Sequence, residues 1–230
     1  MSFNLNKLKG GIRREVDLNS KFIKEYLGTQ NCPIVQIKPN VHGVQLSDFL
    51  LNNSDLVKQS LKQYGAVLFR DFYNKSLVNS MTIVSDIYDK KFLEYSNRSS
   101  PRTLITKNIY TSTEYPASER IHFHSENSYS NEHPEILTFF CDTVANEGGQ
   151  TPLANNVEVL KRIPDKLREK FRQKGILYVR KMNDIIGLNW MEVFQTESKA
   201  KVEEVCKRDN IKFEWNMKEL VLKWSSPAIS

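Results

Sequence analysis

A chain of 230 residues, 40% hydrophobic and 26% charged, suits one globular domain with a sizeable core; no apolar run approaches the roughly 20 residues of a membrane span. Residues 1–11 lack the features of a secretory signal, and Cys32, Cys141 and Cys206 are scattered and odd in number, which argues against a disulfide framework or a thiolate zinc site. A cytoplasmic protein with buried, reduced thiols is expected, its net charge of +6 concentrated in residues 161–181, where nine basic residues face only Asp165 and Glu169.

Residues 1–30 are polar and mixed in charge and read as an arm anchored by Ile23, Tyr26 and Leu27, with the domain proper spanning residues 31–230. Residues 33–37 predict a short strand. Asn53 or Ser54 caps a helix that carries Leu56, Val57, Leu61 and Tyr64 on one face and stops at Gly65. Residues 66–70 form an apolar run of strand length, expected to be buried on both faces. Asn74 caps a second helix that places Leu77, Val78, Met81, Val84, Ile87 and Tyr88 in the core.

A loop follows at residues 97–102, and the pattern then turns extended. Residues 109–113, 121–126, 136–141 and 151–154 are strand candidates, joined by polar connections such as Asn131-Glu132-His133-Pro134. Helical spacing returns after Asn155: Val157, Leu160 and Ile163 share a face before Pro164. Residues 165–174 form a basic helix with Leu167 and Phe171 facing inward and Gly175 closing it. Residues 176–180 suggest a strand, and residues 199–209 a helix with Val202, Val205 and Cys206 on its apolar face. Strands in succession behind two helices predict an α+β fold, a β core with packed helices.

Chemistry concentrates at His124 and Glu126. Two residues apart on an extended segment, an imidazole and a carboxylate point to one side and can reach one metal ion. A polar pair on a solvated strand has the same spacing, so the surroundings decide. Around the pair stand Tyr110-x-Ser112-Thr113-x-Tyr115-Pro116, His124-x-Glu126-x-Ser128-Tyr129, Phe139-Phe140-Cys141 and Gly148-Gly149-x-Thr151-Pro152-Leu153-Ala154. In this order they resemble the taurine dioxygenase-like and clavaminate synthase-like family of iron(II)/2-oxoglutarate oxygenases, from about Gly65 onward.

The resemblance implies a double-stranded β-helix, a jelly-roll barrel with flanking helices, of which the C-terminal part is not recognisable in this sequence. It makes His124 and Glu126 ligands of Fe(II) and gives the Thr151 hydroxyl a carboxylate of 2-oxoglutarate to bind; a strand threonine bonded to its neighbours is the structural alternative. Gly148 and Gly149 need only a positive-φ turn. Residues 190–196 and 213–230 are similar to the helical insert that precedes the last strands of the family barrel. Related halogenases carry a small residue at the carboxylate position, so Glu126 implies hydroxylation or desaturation, of a small molecule or of an amino acid tethered to a carrier protein.

The family pattern also calls for a second histidine and then an arginine in the C-terminal part, and the four histidines here are His42, His122, His124 and His133. His122 shares the strand face of His124 and Glu126, but same-face Cα atoms lie about 6.5 to 7 Å apart, too far for three ligands of one straight strand to close on one ion. His122 and His133 are therefore read as structural or solvent-facing, and remain the alternatives for a third ligand. Arg102 and Arg180 read as surface or loop contacts. These gaps leave a second reading open, a non-catalytic remnant or one half of a split oxygenase, completed by a polypeptide that carries the C-terminal strands. The basic stretch at residues 161–181 has the sign to steer an acidic carrier protein or to show an ordinary solvated helix face; it lacks the interleaved aromatics of a nucleic-acid platform.

Overall fold

The computed structural model describes residues 13–15, 22–29, 31–94, 102–106, 108–112, 114, 116, 118–130, 133–183, 188–217 and 219–228. The chain divides into two compact units, Met1–Lys91 with Thr138–Val159 and Phe92–Leu137 with Leu160–Ser230.

In the first unit, β1 (Arg13–Glu15), β2 (Phe22–Thr29) and β3 (Cys32–Pro39) run antiparallel. The expected arm at residues 1–30 therefore contains two strands of a sheet, and Tyr26 packs on the core as an anchor should. Gly28 is needed where β2 turns back, because at φ +85° an added Cβ would lie 2.4 Å from the Cys32 carbonyl oxygen. The chain leaves β3 through α1 (Leu46–Asn52) and α2 (Ser54–Tyr64) and returns as β4 (Val67–Phe69), parallel to β3. Gly65, in the left-handed region at φ +74°, ends α2 with its N–H on the Leu61 carbonyl.

The apolar run at residues 66–70 is half-buried rather than covered on both faces, apart from exposed Arg70, because β4 is an edge strand with β3 on one side only. In α3 (Leu77–Ile87) the cap is Ser76, whose hydroxyl accepts from the Asn79 N–H; Asn74 instead accepts from the Ser80 hydroxyl. Ile83 and Ile87 of this helix join Val35, Ile37, Phe49, Leu50 and Val57 in the core of the unit.

The second unit holds a short hairpin, β5 (Leu104–Thr106) and β6 (Ile109–Tyr110), and a three-stranded antiparallel sheet. That sheet is β7 (Ile176–Met182), β8 (Lys212–Asn216) and β9 (Glu219–Ser226), with β9 central. Residues 213–230, expected to resemble a helical insert, thus form strands over most of their length, in keeping with the alternating burial of Lys212–Asn216. Gly175, at φ +67°, passes so close to β9 that an added Cβ would lie 2.6 Å from the Ser226 carbonyl oxygen. Two helices cover the sheet. In α6 (Trp190–Phe194) Asn189 and Glu192 form a capping box, and α7 (Lys199–Arg208) is capped by Ser198. Met182, Trp190, Val193, Val202, Cys206, Leu220 and Leu222 make the core.

Two further helices, α4 (Asn156–Arg162) and α5 (Asp165–Lys174), bury no residue. Leu167 and Phe171, expected to face inward, are exposed. The larger departure lies at residues 121–126, 136–141 and 151–154, which form no strand, while residues 109–113 are reduced to β6. Isolated extended segments gain no ladder hydrogen bonds, and these three have no strand partner among the described residues; Phe123, Phe139 and Leu153 are exposed accordingly. No closed barrel is present among the described residues, so the double-stranded β-helix is not seen there. Thr113, Tyr115, Asn131, Glu132 and the loop residues 97–101 lie outside them. No helix among the described residues is long and apolar enough to cross a membrane.

Cysteine burial is uneven: Cys206 is buried, Cys32 half-buried and Cys141 exposed, so only the first matches the expected buried thiol. Burial first, then Asp209 and Glu203, push the Cys206 thiol up to about 11. Native protein treated with iodoacetamide at pH 8 should therefore react at Cys141 and spare Cys206; equal labelling of the two would show an open second core. Leu220→Ala, at a fully buried position, should cost about 2–5 kcal/mol in urea unfolding, against a change near zero for truncating the exposed Met217.

Candidate functional site

The second unit brings together a short ion-paired constellation whose members come from two stretches of sequence. In the first, the Thr111 N–H donates to the Thr103 carbonyl and the Thr103 N–H to the Thr111 hydroxyl, each at 2.9 Å. Both hydroxyls then donate to Glu114 Oε1, at 2.8 Å from Thr103 and 2.9 Å from Thr111. Those donations, Thr103 first, hold the Glu114 carboxyl below its usual range. Thr111 and Glu114, the two variable positions within the Tyr-x-Ser-Thr-x-Tyr-Pro motif, thus clamp Thr103, the neighbour of Arg102.

Arg102 reaches across to the second stretch. Its Nη2 donates to Glu126 Oε1 at 2.9 Å, with 18% of the arginine side chain and 15% of the glutamate side chain exposed. The other carboxylate oxygen, Oε2, lies 3.8 Å from His124 Nε2. His124 Nδ1 is 2.8 Å from the His122 carbonyl oxygen. A carbonyl only accepts, so Nδ1 carries the proton and, in the neutral ring, Nε2 presents its lone pair toward Glu126. This is the arrangement of a metal-ligating histidine, whose second nitrogen donates to a backbone carbonyl.

Strand alternation does not make this pairing, since residues 121–125 are irregular and residues 126–129 form a turn with Asn127 at φ +51°. Its anchors come from the sheet. Tyr178 on β7 and Trp224 on β9 face each other in register and stack with ring centroids 5.3 Å apart. The Tyr178 hydroxyl donates to the Ser128 carbonyl at 3.2 Å and Trp224 Nε1 to the Tyr129 carbonyl at 2.7 Å. Two aromatic donors therefore fix the turn that carries Glu126.

Thr151 belongs to the first unit, where it is exposed in an irregular segment that follows the turn at Gly148 and Gly149, φ +69° and +73°. His122 serves the site through its carbonyl, and both its side chain and His133 are exposed. Among the described residues no three histidine, cysteine, aspartate or glutamate side chains are grouped to hold a metal ion. Arg102, expected at the surface or in a loop, is instead the ion-pair partner of Glu126, while Arg180 lies on β7 opposite Leu222.

The family model for taurine catabolism dioxygenase TauD, TfdA family, matches residues 28–215. The chain belongs to the TauD/TfdA family. It is 40% identical over 159 residues to the dapdiamide synthesis protein DdaC of Enterobacter agglomerans, covering 69% of this chain and 48% of that protein. It is 32% identical over 167 residues to a clavaminate synthase-like protein of Arabidopsis thaliana, covering 67% of this chain and 49% of that protein. The chain spans about half the length of the curated relatives it matches.

Two of these residues fit iron(II), the metal that the family resemblance implies. A neutral imidazole nitrogen and a carboxylate oxygen are two donors of the set that suits iron(II). Nε2 and Oε2 lie 3.8 Å apart, side by side, so His124 and Glu126 would both be offered to one ion. The Trp224 anchor can be tested alone. Trp224→Phe keeps the stack and deletes the donor, at a cost of about 1 kcal/mol; hydrogen exchange of the amides in residues 124–130 should quicken about fivefold while β7 to β9 stay protected. Unchanged exchange in that turn would discard the anchor.

Proposed function

We propose that this chain acts in an iron(II)/2-oxoglutarate-dependent oxygenase reaction, with His124 and Glu126 as metal ligands and Thr151 contacting 2-oxoglutarate. The reading rests above all on the His124 ring, whose Nδ1–H is committed to the His122 carbonyl so that Nε2 faces the Glu126 carboxylate. Bound iron(II) with 2-oxoglutarate supplies the oxidation of a C–H bond by dioxygen, yielding hydroxylated or desaturated product, succinate and carbon dioxide. The residues of this chain orient donors: the His122 carbonyl sets the tautomer, Arg102 takes one carboxylate oxygen, and the aromatic pair holds the turn. The three free cysteines support a reducing, cytoplasmic setting.

A second reading concerns assembly. With two ligands grouped among the described residues and Ile121, Phe123, Leu137 and Phe139 exposed along segments of strand character, a complementing polypeptide with the C-terminal strands, a histidine and an arginine would complete both the jelly-roll barrel and the site. The isolated chain should then bind iron(II) weakly and form little succinate, and addition of such a polypeptide should raise both. Succinate made by the chain alone and lost in His124→Ala would move the third ligand to His122 or His133; iron binding indifferent to His124→Ala would sink the site.

For substrate we propose a small molecule, free or tethered to an acidic carrier protein. The relative named for dapdiamide synthesis supports small-molecule chemistry, and α5 supports a carrier. On that helix Arg168 pairs with Asp165 and Arg172 with Glu169, and exposed Leu167 and Phe171 lie among its basic side chains, so apolar contact and positive charge share one surface. Carrier binding should weaken about tenfold or more between 50 and 300 mM salt, as the Debye length shortens from about 14 to about 6 Å, and fall when Lys166, Arg168 and Arg172 are reversed in charge together. Affinity indifferent to those reversals would leave a free small molecule as the substrate.

A further inference from the structure

We infer that Arg102 is the positioning residue that makes Glu126 a one-oxygen metal ligand, an inference that rests on His124 and Glu126 forming the metal site. The carboxylate is divided between two duties. Oε1 receives the guanidinium at 2.9 Å, and Oε2 is the oxygen on the side of His124, 3.8 Å from Nε2. A glutamate side chain has three rotatable bonds, and a free carboxylate can chelate an ion with both oxygens. With Oε1 held by Arg102, a metal at Nε2 meets Oε2 alone, which leaves coordination positions for other ligands.

Three observations make Arg102 more than a counter-ion of convenience. Both side chains of the pair are largely withdrawn from solvent, 18% and 15% exposed, whereas the surface pair of Arg172 and Glu169 is 59% and 50% exposed. Arg102 adjoins Thr103, which is locked through its N–H, carbonyl and hydroxyl to Thr111 and Glu114. Glu126 lies at the head of the turn that Tyr178 and Trp224 hold from the sheet. Each end of the ion pair is thus supported by its own independent set of hydrogen bonds. The guanidinium charge itself opposes a dication, so the role argued here is geometric: Arg102 sets which oxygen is offered, and hydrogen bonding of a ligating carboxylate raises affinity by fixing it.

Cobalt(II) titration of the full 230-residue chain, followed by visible absorption, separates the possibilities. Wild-type protein should give a weak but saturable band that His124→Ala abolishes. Arg102→Met, which keeps the side-chain stem and removes the donor, should weaken cobalt(II) binding about tenfold and shift the band as the second carboxylate oxygen enters the coordination sphere. Arg102→Lys, which restores one charged donor, should return both affinity and band close to wild type. If Arg102→Met is misfolded by circular dichroism, Arg102→Lys still decides, because a lysine that folds and fails to reproduce the wild-type band overturns the role. Arg102→Met with an unchanged band, or with tighter binding, also overturns it and reduces Arg102 to a competing charge. Binding unaffected by His124→Ala would instead remove the metal site on which the inference rests.

Discussion

Backbone carbonyls that no strand ladder takes up must find donors elsewhere, and in the turn around Glu126 side chains provide them. His124 answers the His122 carbonyl, Tyr178 that of Ser128 and Trp224 that of Tyr129. Each of these bonds satisfies the backbone and orients the site in the same stroke. The imidazole is set to one tautomer because its other nitrogen is occupied, and the carboxylate is held near it because the turn is tied to a sheet through a stacked aromatic pair. The local structure of the site is thus a by-product of where an irregular segment can place its polar groups.

The two cores solve a different problem. In the first unit a sheet is covered by helices that leave and rejoin it, with Phe49 in ring contact with Phe22, Phe69 and Phe72. In the second, Trp190 and Trp215 meet edge to face at 5.2 Å, and Trp215 also donates to Glu203 on α7, joining helix to strand by an apolar and a polar contact at once. That sheet then serves the site from its edge strand β7 and its central strand β9, since Tyr178 and Trp224 belong to the ladder between them. Packing and chemistry meet in those two rings.

What could be read from residue order was whatever depends on near neighbours. The helix that ends at Gly65 and the one closed by Gly175 follow from local spacing and from glycines at positive φ, and the helix around Val202 and Cys206 from its apolar face. Residues 121–126, 136–141 and 151–154 have the composition of strands, but a strand also needs a partner, and composition is silent on that. Residues 213–230 depart for the opposite reason: the family likeness implies a helical insert, where the alternation Lys212-Phe213-Glu214-Trp215-Asn216 is that of a strand. In the site, His124 and Glu126 are adjacent enough to be seen as a pair. Arg102 is 24 positions from Glu126, and Trp224 is 95 from Tyr129; such partners are chosen by tertiary structure, and only the register of two aromatic positions on facing strands hints at the anchor.

The interleaving of the two units has a consequence for how the chain is made. Residues 138–159 belong to the first unit but emerge from the ribosome after residues 92–137 of the second, so neither unit can finish folding as an unbroken N-terminal product. The Asn155 side chain must find the Asn31 carbonyl across 124 positions, a closure whose entropic cost grows only logarithmically with the length of the intervening chain. Insertions within residues 92–137 are therefore cheap for the first unit, whereas any single cut between residues 92 and 159 parts both units. Neither can be excised as one continuous fragment, and recombination that exchanged either would have to exchange two pieces together.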